Sequence, residues 1–129
     1  DYAHHPKEIE AAINTAKTQN PSVIAIFQPH TYSRTKSLWE EFKKSLSYAD
    51  EIILLPIYAA REPNDPEVTS LKLSQELQQQ GKNVLYFDDF ESCSLYLKKR
   101  LTANDLLIIV GAGDIINLKD YLISGAENK

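Results

Sequence analysis

Four short apolar runs, each followed by residues at helical spacing, constrain this chain more than any other feature. They are Val23-Ile24-Ala25-Ile26, Ile52-Ile53-Leu54-Leu55, Val84-Leu85-Tyr86-Phe87 and Leu106-Leu107-Ile108-Ile109-Val110. Short runs of this kind read as buried strands. Between and after them lie helical stripes: Leu38, Trp39, Phe42 and Leu46; then Leu73 and Leu77; then Phe90, Cys93, Leu97 and Leu101; finally Leu118, Tyr121 and Leu122. A leading helix carries Ile9, Ala12, Ile13 and Ala16, with Pro6 suited to its first position and Asn20-Pro21 ending it. Gly81 suits a helix end, and Asp88 or Asp89 a helix start. Pro56 cannot donate to a ladder, so the second strand should stop near Leu55. Strands alternating with helices predict an α/β domain with a mostly parallel sheet flanked by helices. At 129 residues this is one domain, without internal repeat or linker.

Charge and composition exclude several function classes. Fourteen basic against eighteen acidic residues leave a net charge of −4, without the basic face that nucleic acid requires. No run approaches the roughly 20 apolar residues of a membrane span, so no membrane partner is expected and a cytoplasmic location is the default. Cys93 is the single cysteine, which rules out an internal disulfide and a cysteine metal cluster. Its place on a helical stripe reads as packing. The chain opens on Asp1 with a dense string of polar and aromatic groups, as a piece of a longer protein would.

The chemistry concentrates after the first strand, in Phe27-Gln28-Pro29-His30-Thr31-Tyr32-Ser33-Arg34-Thr35. Ligands of open α/β sheets bind beyond the carboxyl ends of strands. A loop there with His30, Tyr32, Ser33, Arg34 and Thr35 reads as a binding loop. Arg34 lies by the expected helix start, where free N–H groups favour anions, so a carboxylate or phosphate is the expected ligand. Ser33 or Thr35 is the expected helix cap. The loop after the second strand leaves at the same edge, and its Arg61 would approach Arg34 across the crevice; the alternative is that Arg61 and Glu62 face water or pair locally. The adjacent His4 and His5 lack a carboxylate cluster to complete a metal site, so no metal is assigned. Gly111-Ala112-Gly113-Asp114 lacks the third glycine of a dinucleotide fingerprint and reads as a tight turn lining the crevice.

Taken together, Asp1-Tyr2-Ala3-His4-His5-Pro6, Phe27 to Thr35 with Leu38-Trp39, Ile57 to Glu62 and Gly111 to Asp114 resemble the C-terminal domain of the Mur ligases of bacterial cell-wall synthesis. The blocks run the length of the chain in the family's order. The fold to be expected is thus Rossmann-like, in three layers. The resemblance implies a three-domain enzyme whose amino-terminal domain binds a UDP-sugar and whose central domain carries the ATP-binding P-loop. In the alanine-adding branch, ATP and Mg2+ phosphorylate the carboxylate of UDP-N-acetylmuramate, and L-alanine attacks the acyl phosphate.

By motif position, the resemblance makes Tyr2, His4 and Arg34 the groups that place alanine and the carboxyl-phosphate, with His4 and Arg34 as catalytic candidates. His30 supports them, and Asp1 lies near the nucleotide ribose. Arg61 joins the substrate-binding set from the loop reading above. No Gly-x-x-x-x-Gly-Lys-Ser/Thr loop occurs, so this stretch alone is expected to be inactive. The alternatives are a free-standing module for a small anion or nucleotide, and the related ligase that recycles murein tripeptide.

Overall fold

The structure is a computed structural model and describes residues 5–111 and 114–127. Helix α1 (Pro6–Lys17) has Pro6 in its first turn and a capping box. The His5 Nδ1 accepts the Lys7 N–H at 3.3 Å, and Glu8 accepts the His5 N–H at 3.2 Å.

The chain then forms β1 (Ser22–Gln28), α2 (Tyr32–Ser37), α3 (Trp39–Leu46), β2 (Glu51–Leu54), α4 (Ser70–Gln79), β3 (Val84–Tyr86), α5 (Phe90–Arg100), β4 (Asp105–Gly111), a short 3-10 turn (Asp114–Asn117) and α6 (Leu118–Glu127). The strands make one sheet in the order β3-β2-β1-β4, and every pairing is parallel. The expected α/β architecture is present.

Continuous apolar runs suit a sheet covered on both faces, because successive side chains point to opposite sides. Val23, Ala25 and Phe27 of β1 pack with Ile9, Ile13, Phe42, Leu46, Leu73 and Leu77, from α1, α3 and α4. Ile24 and Ile26 point the other way, toward Cys93, Leu97 and Leu118. Cys93 is fully buried, and burial pushes its thiol up to about 12, so it packs rather than reacts. Helix α4 ends as Gly81 implied. Its φ is +83°, and the Gly81 and Lys82 N–H groups bond to Gln78 and Leu77 carbonyls. Asp89 caps α5 by accepting the Ser92 N–H at 2.6 Å.

The helix expected after the central loop differs. Leu38, at φ −111° and ψ 22°, divides it into α2 and α3. The apolar spacing of Leu38, Trp39, Phe42 and Leu46 belongs to the second piece, while the chemical residues Tyr32 to Thr35 lie in the first. Glu76 of α4 fixes α3 by accepting from the Trp39 indole at 2.8 Å and the Lys43 ammonium at 2.9 Å.

The order of the sheet opens one crevice. The chain starts at β1, moves outward through β2 and β3, then crosses back to β4 on the other side of β1. Neighbouring strands β1 and β4 therefore send their outgoing chains apart, which opens a crevice at their carboxyl ends.

Candidate anion-binding site

Past Pro29 and Pro56 the outgoing chains of β1 and β2 meet once more. His30 and Tyr58 form an isolated parallel bridge. Tyr58 donates its N–H to the Pro29 carbonyl at 2.9 Å, and Thr31 donates to the Tyr58 carbonyl at 2.8 Å. The two rings stack with centroids 5.7 Å apart and planes 21° from parallel. This pairing holds His30 beside the start of α2.

Thr31 is the cap of that helix, in place of the expected Ser33 or Thr35. It adopts φ +64°, a conformation unfavourable for a β-branched residue. Its Oγ1 accepts the Arg34 N–H at 3.3 Å, and its carbonyl accepts the Thr35 N–H at 3.2 Å and the Thr35 hydroxyl at 2.6 Å. Thr35 is buried by that contact.

The N–H groups expected to be free for an external anion are taken. Glu62 Oε1 accepts from Tyr32 N–H at 2.7 Å and Ser33 N–H at 3.1 Å, and Oε2 accepts the Ser33 hydroxyl. These bonds, the Ser33 hydroxyl foremost, hold the Glu62 carboxyl below its usual range. Glu62, expected to face water or pair locally, instead pairs across to the facing loop. It reaches α2 because Ala60 and Arg61, at φ +49° and +77°, turn the chain sharply.

The result is an open depression of about 560 Å³ lined by His5, His30, Thr31, Ser33, Arg34, Ser37, Leu38 and Glu62. The half-buried Arg34 and His30 are thus brought together. Arg61 is exposed and does not line the depression; its neighbour Glu62 does. Asp1, Tyr2 and His4 lie outside the described residues, as do Ala112 and Gly113. Sequence reasoning gave no site role to Glu62 and Tyr58. The signal available was an acid and an aromatic in the loop leaving the adjacent strand.

On the other side of the His30–Tyr58 pair lies a second crevice, of about 580 Å³, to which Asp88, Asp89, Glu91 and Asp114 contribute carboxylates and no described residue a cation. Gln28 lies on its wall, almost wholly buried, with Nε2 bonded to the Pro56 carbonyl at 3.2 Å and Oε1 without a partner among the described residues. Gly111 abuts the same residue. Its φ is +133°, and a Cβ there would sit 2.6 Å from the Gln28 carbonyl oxygen, so only glycine fits. Among the described residues no group of three or more His, Cys, Asp or Glu is placed to hold a metal ion.

A parallel α/β sheet with a depression beyond its carboxyl edge, lined by Arg34, two histidines and Glu62, defines the class, and comparison with known proteins narrows it. The chain belongs to the Mur ligase family: the family model described as Mur ligase, glutamate ligase domain, matches residues 1–113. It is 46% identical over 130 residues to the UDP-N-acetylmuramate–L-alanine ligase of Caldanaerobacter subterraneus, an alignment spanning 100% of this chain and 28% of that one. The crystal structure of the UDP-N-acetylmuramate–alanine ligase of Thermotoga maritima superimposes with a TM-score of 0.72 at 26% identity, over 99% of this chain and 26% of the other. The murein peptide ligase of Psychrobacter arcticus gives 0.77 at 18% identity, over 100% and 27%, which shows a shared fold alone. The chain spans less than a third of the length of the curated relatives it matches.

Proposed function

We propose that this chain is the substrate-closing C-terminal domain of an ATP-dependent ligase that joins L-alanine to UDP-N-acetylmuramate in peptidoglycan synthesis. The observation that carries the reading is the 46% identity to an alanine-adding ligase across the whole chain. The murein-tripeptide alternative has support at the level of fold only.

The site suits the role. An acyl phosphate and the tetrahedral species formed from it are anionic, and fixed cationic donors stabilise such charge best where water is scarce. Arg34 offers a planar fork to carboxylate or phosphate, and His30 is held beside it by the Tyr58 stack. The acid-lined crevice across that stack is electrostatically suited to the amino group of the incoming amino acid. His4 is the second catalytic group of this reading, with Tyr2 beside it on the substrate and Asp1 near the ribose.

ATP and Mg2+ supply the phosphoryl group and its charge neutralisation. The described residues offer an arginine and a histidine fit for an anion but no metal cluster. In this reading ATP and Mg2+ are bound mainly by the central P-loop domain of the parent, with this domain closing over them. A cytoplasmic location accords with cytoplasmic ATP and UDP-sugar, and no helix among the described residues is long and apolar enough to cross a membrane.

The test is phosphate release by the full-length parent with ATP, Mg2+, UDP-N-acetylmuramate and single amino acids. Release that depends on L-alanine supports the reading. Release with murein tripeptide in its place assigns the recycling activity instead.

A further inference from the structure

We infer that Glu62 is a positioning residue for the site, acting through the start of α2 on Arg34. This inference rests on the ligase reading above and adds a residue to it. Thr31, Ala60 and Arg61 are the described non-glycine residues at positive φ, and each lies in one of the two loops that meet here. Such conformations persist where surrounding bonds over-determine them.

Glu62 supplies those bonds. Its own N–H donates to the Ala59 carbonyl at 3.0 Å, closing the turn on its own loop. Its carboxylate then receives the Tyr32 and Ser33 N–H groups and the Ser33 hydroxyl on the facing loop. Arg34 follows Ser33 directly, and its N–H is committed to Thr31 Oγ1. The side chain of Arg34 thus projects from a helical turn whose remaining leading N–H groups are fixed by one carboxylate. Both Glu62 and Arg34 line the same depression.

A second consequence concerns charge. The carboxylate occupies the N–H groups at the start of α2, so an anionic substrate meets the Arg34 guanidinium and not the backbone. The geometry therefore gives the two charges separate tasks, with Glu62 holding the turn and Arg34 receiving the ligand. Misplacing a positioned group by about 1 Å lowers a rate by about 100-fold.

The experiment uses the full-length parent ligase and measures kcat, KM for each substrate and the thermal midpoint. The variants are Glu62→Ala, Glu62→Gln, Arg34→Ala and the Arg34→Ala/Glu62→Ala double variant. Glu62→Ala is expected to lower kcat by about 100-fold, with a fall in midpoint of only about 2–4 °C from the lost hydrogen bonds. Glu62→Gln, which keeps one acceptor oxygen for the N–H pair, is expected to recover most of that loss. In the Arg34→Ala background, removing Glu62 is expected to change kcat less than about threefold, because the group it positions is gone. Wild-type kcat in Glu62→Ala overturns the inference. So does a double variant whose loss is the product of the single losses, or a loss accompanied by a matching fall in midpoint in both Glu62 variants. An inactive wild type fails the ligase reading itself, which keeps the two failures distinct.

Discussion

The two ends of this sheet are built for different tasks. At the amino edge, two buried carboxylates are engaged by a partly exposed arginine. Glu51, 2% exposed, accepts the Tyr96 hydroxyl at 2.6 Å and the Arg100 Nε at 3.1 Å. Arg100 continues to Asp105 at 2.9 Å, and Asp105 also receives the Thr102 N–H at 2.9 Å. At the carboxyl edge, the described non-glycine residues at positive φ gather, Gln28 Oε1 has no partner among the described residues, and the Arg34 and His30 side chains stay half-buried. One end closes its polar groups on each other, as stability requires. The other leaves the Arg34 and His30 side chains lining an open depression, where open sheets bind ligands.

The largest expected departure from this division is Gly111→Ala. It lies at the functional edge yet is structural, since its Cβ would strike the Gln28 carbonyl and its φ is left-handed. A loss of about 3 kcal/mol is expected from overpacking plus backbone strain, read by denaturant unfolding of the chain. A near-neutral result would mean that the β1–β4 crevice yields more readily than described.

Tyr96→Phe sharpens the comparison from the other end. It removes a hydrogen bond to a buried carboxylate and should lower stability by about 2 kcal/mol. Arg100 still pairs with Glu51, so the fold should persist.

Acid should act on the amino edge next. The Ser22 hydroxyl, then the Thr102 N–H and the nearby Arg100 charge, hold the Asp105 carboxyl down at about 2. A carboxyl lower in the folded than in the unfolded chain adds stability that is full above about pH 4 and lost as pH falls toward 2. Asp105→Asn should flatten that part of the stability–pH curve.

The smallest effect belongs to Ala60→Gly. Relief of a left-handed alanine is worth about 1–2 kcal/mol, against about 0.4–1 kcal/mol of added unfolded-chain entropy. A gain of about 0.5 kcal/mol is expected, within reach of careful thermal melts.

The strands were legible because a sheet covered on both faces demands unbroken apolar runs, and β1 shows this along Val23 to Phe27. Arg34 and His30 were legible because a strand-to-helix passage rich in polar groups is where open sheets bind ligands. The division at Leu38 was hidden, since no glycine or proline marks it and the apolar stripe begins only there. Glu62 was hidden for a different reason. It reaches Ser33 through left-handed Ala60 and Arg61, and neither is a residue type that announces such a turn. Arg61 was expected to approach Arg34 as a second cation; it is exposed and does not line the depression, while Glu62, carried there by the same turn, does.

The central claim is that chemistry resides at the carboxyl edge and stability at the amino edge. The most direct test compares Arg34→Ala with Tyr96→Phe in the full-length parent, reading alanine-dependent phosphate release and thermal midpoint on each. The account predicts a loss of about 10²–10³-fold in release at an unchanged midpoint for Arg34→Ala, and a lowered midpoint at wild-type release for Tyr96→Phe. Wild-type release from Arg34→Ala, or a loss that merely tracks a fallen midpoint, would contradict it.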